Sequence, residues 1–299
     1  MKTYYTEQWN RTVGIIALMM LCVHTVVAQP SVDGKLAKSF RGVWQLKEVG
    51  ESGKNNLRES PFHQYKYYGK NRFMMLTLAD NKEEKTKDTD ISTTRFSVKW
   101  GNLSFASDDM VMEGYDTIRL DKKGKRRFRL RWTNRMPNYR LCPRGSVVEE
   151  IWKKTDYSKE ADLILKAIAM TGKIKNKFIG LWRRETIFFY ARTEGTVGTM
   201  LPISDHATYK IYGDKVSLLI NKIDFDPHLK TSHIKGEMRR QKYVGSNALE
   251  ENGTECLVGW EDEDTFQLTY FDDNRMPFIE IWTRVKMPSY ILDAIREAE

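Results

Sequence analysis

Apolar and polar residues alternate with period two along much of the chain. In the segment 126–132, RRFRLRW, Phe128, Leu130 and Trp132 share one face and Arg127, Arg129 and Arg131 the other. In 265–271, TFQLTYF, Phe266, Leu268 and Tyr270 oppose Thr265, Gln267 and Thr269 in the same way. Successive side chains of a strand point to opposite faces, so this pattern predicts half-buried β-strands. Phe40, Gly42, Trp44 and Leu46 likewise fall on one face of an opening strand. Turn-rich clusters such as GESGKNN, LADNKEEKTKDTD, DKKGKRR and WEDED separate the runs. Short strands divided this way predict an all-β sandwich or barrel. The period changes to a helical one twice. Ile164 and Ile168 lie four apart in 158–170, with Gly172 beyond, and Ile291 and Ile295 do so in 288–298, with Pro288 at the start.

These elements recur in one order. Phe40, Gly42 and Trp44 return as Phe178, Gly180 and Trp182, an offset of 138; YKYYG at 65–69 returns as YKIYG at 209–213, an offset of 144; NRMP at 134–137 returns at 274–277, an offset of 140. Ordered self-similarity of this kind predicts a duplicated domain. The expected organisation is a segment 1–28 followed by repeats at 29–172 and 173–299, each with strands first and one helix last. About eight strands of ordinary length fit each repeat, and closing them into a barrel removes exposed sheet edges. Such an interior is either filled by side chains or holds one small ligand.

The opening G-x-W, Gly42-Val43-Trp44 and Gly180-Leu181-Trp182, resembles the start of lipocalin domains. The closing EEIWKK and IEIWTRV resemble the ends of lipocalin-like domains of unknown function in secreted bacterial proteins. The resemblance covers the mature chain twice. It implies two tandem antiparallel lipocalin-like β-barrels, each followed by a C-terminal α-helix. It also implies that Trp44 and Trp182 plug the closed ends, with a basic residue from a late strand over each. Arg135 and Arg275 are the expected barrel-closing partners beside Gly42 and Gly180, with Lys153 and Arg284 as alternatives.

The chain begins with Lys2 and Arg11 and then a 16-residue apolar run from Val13 to Ala28. A short apolar run after basic residues, ending in small residues, predicts a signal peptide cleaved near Ala28. It is too short for a membrane anchor, which needs about 20 residues. The product would be exported, periplasmic or secreted. Removing Lys2, Glu7 and Arg11 takes the formal charge from +9 to +8. The Lys and Arg alternate with apolar residues, as outward strand faces do. No organised basic and aromatic surface argues for nucleic acid. Cys142 and Cys256, one per repeat at unmatched positions, are open to pairing or to burial as thiols.

Four constellations bear on chemistry. Asp224, Asp226, His228 and His233 lie within ten residues, but their spacing follows no ligand pattern and the first repeat lacks them, so no metal or other cofactor is expected. His63 and His206 precede the two Y-K-x-Y-G strings without a matched nucleophile or carboxylate, so no catalytic residue is assigned and an enzyme stands third among the readings, behind the two non-catalytic ones. Tyr65, Tyr67 and Tyr209 alternate with Lys66, Tyr68, Lys210 and Tyr212; with Trp132 and Tyr270, the tyrosines at 65, 67 and 209 are the candidate ligand-binding residues. Matching hairpin turns carry opposite charge, Lys122, Lys123, Lys125, Arg126 and Arg127 against Glu261, Asp262, Glu263 and Asp264. The leading expectation is an exported binding protein with a small, largely apolar ligand in one or both barrels. The alternative is a module with solid barrels that meets a surface protein or glycan through its loops.

Overall fold

The computed structural model describes residues 35–80, 94–107, 109–114, 116–136, 141–172, 176–191, 199–202, 208–224, 231–271 and 276–298. A short helix α1 (Lys35–Phe40) leads into β1 (Gly42–Glu51), β2 (Arg58–Glu59), β3 (His63–Tyr68), β4 (Arg72–Asp80), β5 (Thr94–Ser107), β6 (Met110–Glu113), β7 (Asp116–Lys122), β8 (Arg127–Thr133), β9 (Val147–Lys154) and helix α2 (Lys159–Met170). The chain continues through β10 (Gly180–Ala191), β11 (Thr199–Pro202), β12 (Tyr209–Tyr212), β13 (Val216–Asp224), β14 (Thr231–Tyr243), β15 (Ala248–Glu251), β16 (Thr254–Trp260), β17 (Thr265–Phe271), β18 (Pro277–Val285) and helix α3 (Ser289–Ala298). The expected signal segment, 1–28, lies outside the described residues.

Strands β1, β3, β4, β5, β6, β7, β8 and β9 pair antiparallel in that order, and β9 returns to β1: a closed eight-stranded barrel. In the second half β10 pairs with both β12 and β18, and β12 to β18 pair in chain order. The registers correspond. Gly42, Val43, Trp44 and Gln45 face Tyr68, Tyr67, Lys66 and Tyr65, while Gly180, Leu181, Trp182 and Arg183 face Tyr212, Ile211, Lys210 and Tyr209. Both opening strands shift register at one point, between Leu46 and Glu48 and between Arg184 and Thr186.

All eight strands of the first barrel send side chains into one cluster that includes Trp44, Tyr68, Phe73, Leu103, Val111, Leu120, Phe128 and Trp152. That convergence marks it as the interior, and α1 adds Phe40 to it. A matching cluster of Phe178, Trp182, Tyr212, Leu249, Cys256, Val258, Phe266, Leu268 and Trp282 lies in the second half. A third cluster belongs to neither interior. It joins the outward residues Met74, Leu76, Leu78, Phe96, Val98 and Trp100 to Leu181, Ile211, Val216, Leu218, Ile220 and Ile234 through both longer helices.

Two features create that shared core. The first half of β5 leaves β6 and pairs with β14, Thr94–Gly101 against Thr231–Met238, so the sheet runs unbroken from one half into the other. The helices are also exchanged. α2 ends the first half yet packs on β12 and β13, while α3 ends the second half and packs on β4. Ala167 of α2 lies close enough to Gly213 that a Cβ there would sit 2.9 Å from its methyl group. From α3, the carbonyl of Glu297 accepts from Tyr67 and that of Tyr290 accepts from Arg72. Ser158 caps α2 by accepting from the Ala161 amide at 3.2 Å, satisfying one of the donors a helix start leaves open.

Candidate binding site

Both interiors contain buried charge on a common plan. In the first, Lys66 is 3% exposed and its Nζ donates to both oxygens of Glu113, at 2.9 and 3.1 Å. Tyr68 also donates to Glu113. Lys66 stands 4.8 Å from the Trp152 ring centre, a cation–π contact. Glu150 accepts from the indole N–H groups of Trp152 at 2.9 Å and Trp132 at 3.0 Å. Burial raises the Glu150 carboxyl above its ordinary range, against the pull of Lys66 and the two indoles. Each of the four carboxylate oxygens here has a partner, as buried polar groups require.

The second interior keeps the frame and changes the filling. Lys210 Nζ donates to Glu251 Oε2 at 2.9 Å and stands 5.1 Å from the Trp282 ring. Trp282 donates to Glu280 at 2.9 Å. Register then matches Leu46 with Arg184, Phe73 with Ser217, Gly101 with Arg239, and Leu103 with Gln241. Arg184 donates to Glu280 at 3.0 Å, so it does the work of Trp132. Ser217 occupies only part of the space that the Phe73 ring fills.

These exchanges leave Tyr212 OH, Arg239 Nε and Gln241 Oε1 buried with no hydrogen-bond partner among the described residues, and Ser217 Oγ and Glu251 Oε1 with only each other to turn to. Ser217, Tyr212 and Arg239 all lie in the field of Glu251, and Gln241 is its cross-strand neighbour. Burial alone would raise the Glu251 carboxyl, but Lys210, Ser217 and Arg239 outweigh it and hold it below its usual value. The Cys256 thiol is pushed up to about 12 by burial and by Glu251, so it is no nucleophile at neutral pH. Lys210, Arg184 and Arg239 against Glu251 and Glu280 leave this interior one positive charge in excess. The first, with Lys66 against Glu113 and Glu150, has one negative charge in excess.

A comparison with protein-family models finds no match, and no curated protein is significantly similar to the chain.

Trp44 and Trp182 are buried, and their indoles donate to the Phe40 carbonyl at 2.7 Å and the Phe178 carbonyl at 2.8 Å. The cations over them are Lys154, at 5.6 Å, and Arg284, at 4.2 Å. Arg135 does not take that place: it is exposed after β8. Lys153 points outward beside Ile151 in a surface groove. Arg275 lies outside the described residues. Gly42 adopts φ +114°, a conformation suited to glycine, with the Lys154 chain close against it.

Tyr65 and Tyr209 sit on the outer face, packed in the shared cluster below the helices, and Tyr67 meets α3. In Y-K-x-Y-G it is the lysine and the second tyrosine that point inward. Trp132 and Tyr270 do lie with the interiors, Trp132 through Glu150 and Tyr270 stacked on Phe278 at 5.3 Å. His63 is exposed; His206, Asp226 and His228 lie outside the described residues. His233 pairs across strands with Asp224 and its Nε2 meets Ser97 Oγ at 2.7 Å. Burial, aided by Lys235, Lys222 and Lys99, lowers its imidazole to about 4. The described residues contain no cluster of three or more metal-ligating side chains. Cys142 and Cys256 are unpaired and buried in different clusters. No described helix is long and apolar enough to cross a membrane.

Proposed function

We propose that the chain is an exported, non-catalytic binding protein of two tandem lipocalin-like barrels, in which the second holds a small polar ligand and the first is a solid support. The observation that carries this reading is the contrast between matched interiors. Where the first has Phe73, Gly101 and Leu103, the second has Ser217, Arg239 and Gln241, and Tyr212 OH, Arg239 Nε and Gln241 Oε1 await partners among the described residues. Leaving a buried polar group unpaired costs about 1–3 kcal/mol, so three together favour an occupant.

Its chemistry follows from what is unpaired. Gln241 Oε1 needs a donor, Arg239 Nε needs an acceptor, the Tyr212 hydroxyl serves either way, and the Glu251 carboxylate beside Ser217 can accept more than one hydrogen bond. Added to one excess positive charge, this describes a small hydroxylated organic acid: the anionic group toward Arg239, hydroxyls toward Glu251 and Gln241. The ligand is thus polar rather than the apolar molecule expected from the sequence. The test is native mass spectrometry of the protein purified from its own host, beside the double variant Ser217→Phe with Gln241→Leu, which places two of the first interior's apolar side chains in the second. A bound mass present in the parent and lost in the folded variant supports the proposal. A parent without a bound organic mass, whose melting temperature no hydroxy acid in a panel raises, would overturn it. N-terminal sequencing of the exported form should begin at Gln29.

A further inference from the structure

Outside the first barrel lies a groove of about 470 Å³ lined by Lys47, Glu48, Lys123, Arg126, Arg127, Ile151 and Lys153. Lys123 is held by Asp121 at 2.9 Å and Arg127 by Glu48 at 2.9 Å. Lys47, Arg126 and Lys153 form no ion pair among the described residues. Register gives the matching surface of the second half: Glu185 for Lys47, Glu261 for Lys123, Asp264 for Arg126, Thr265 for Arg127 and Thr283 for Lys153. One backbone shape therefore carries opposite charge in its two copies. The acidic turn is also rigid. Glu261 and Asp262 donate backbone N–H groups to the Thr265 carbonyl at 3.0 and 3.3 Å, and the Asp264 amide donates to Asp262 Oδ1 at 2.7 Å. Arg284 holds Asp264 at 2.8 Å, which leaves Glu261, Asp262 and Glu263 exposed and without an ion pair among the described residues.

The two faces cannot meet within one molecule. The halves join at β5 and β14, whereas the groove is built on β1, β8 and β9 and the acidic face on β10, β17 and β18. In the pairing order these lie three to four strands from the join, so the faces occupy opposite flanks. We infer that the basic groove receives the acidic turn of a second copy of this chain, giving head-to-tail association. Such a contact is heterologous: each added copy leaves a basic and an acidic face open, so assembly continues into a chain or closes into a ring. Because the contact is between exposed charges it is weak and sensitive to salt.

The experiment is sedimentation velocity of the mature protein in low and high salt, chosen so that the screening length falls from about 30 Å at ~0.01 M to about 3 Å at ~1 M. Species heavier than the monomer are expected in low salt and only monomer in high salt. Two variants, Lys47→Gln with Arg126→Gln and Lys153→Gln, and Glu261→Gln with Glu263→Gln, each neutralise exposed charges of one face that are unpaired among the described residues, and touch no buried residue. Each should be monomeric alone in low salt, and an equimolar mixture should stop at the dimer, since only one complementary pair of faces remains. A parent that is monomeric in low salt, association that survives in either variant alone, or a mixture that forms no dimer would overturn the inference.

Discussion

Replacing Lys66 with methionine tests the account of the buried charges most directly. Methionine keeps much of the side-chain length and removes what is, among the described residues, the only cation facing Glu113 and Glu150 in the first interior. Two carboxylates are then buried without a counter-charge. Removing one partner of a buried ion pair costs about 3–5 kcal/mol, and at roughly 2–4 °C per kcal/mol for a chain of this size the melting temperature should fall by on the order of 10 °C at pH 7. The matching Lys210→Met is expected to cost about 1.5–3 kcal/mol, the range for a hydrogen bond to a charged group, because Arg184 still holds Glu280 and Arg239 still faces Glu251. Acid should rescue the first variant. Glu150 is raised above its ordinary value near 4.5 by burial, so its contribution to stability is present below that value and is lost as pH rises through the folded one. Losing Lys66 raises the folded value further, so the deficit is greatest near neutrality and shrinks toward about pH 4.5. Differential scanning calorimetry of both variants from pH 4 to 8 provides the measurement. A Lys66→Met protein that melts within a degree of the parent at pH 7, or whose deficit grows on acidification, would refute the reasoning.

Three further outcomes are expected. Glu251, held below its usual value, contributes stability that is present above about 4.5 and lost as pH falls, whereas Glu150 contributes in the opposite sense. Glu251→Gln should therefore destabilise at pH 7 more than Glu150→Gln does, as urea unfolding would show; equal effects would argue against the difference between the interiors. At Gly236 an added Cβ would lie 2.2 Å from the Leu219 carbonyl oxygen. Gly236→Ala should therefore cost at least about 1–3 kcal/mol by overpacking, and a neutral variant in thermal unfolding would speak against the β13–β14 register. The thiols of Cys142 and Cys256 should resist a thiol reagent at pH 8 until denaturant is added, since burial raises both. Peptide mapping that finds either one labelled in the native protein would contradict their placement.

The strands were legible because alternation is a local signal. Phe128, Leu130 and Trp132 against Arg127, Arg129 and Arg131 need only the pleat to be read. The sharing of the core was not legible: nothing in Ile291 or Ile295 says which sheet they will cover, since helical spacing fixes a face and not its partner. Of the candidate site, the paired E-x-W strings at Glu150–Trp152 and Glu280–Trp282 and the lysine in both Y-K-x-Y-G motifs were visible signals of buried charge. Aromatic residues drew attention away from them, because lysine and glutamate are rarely buried unless paired. Glu113 and Glu251 carry no such pattern. Ser217 and Gln241 become informative only once pairing sets them against Phe73 and Leu103, a comparison that depends on register and not on sequence spacing.

The exchange of helices also sets an order in time. The outward residues of β4, Met74, Leu76 and Leu78, are covered by α3, which ends about 200 residues later. At synthesis rates of roughly 5–20 residues per second, that apolar strip waits on the order of 10–40 s for its cover. Until then the N-terminal half is an unfinished body with a greasy flank. A nonsense codon just before α3, which looks as if it would trim only the second half, would instead leave the outer strip of β4 in the first without its cover.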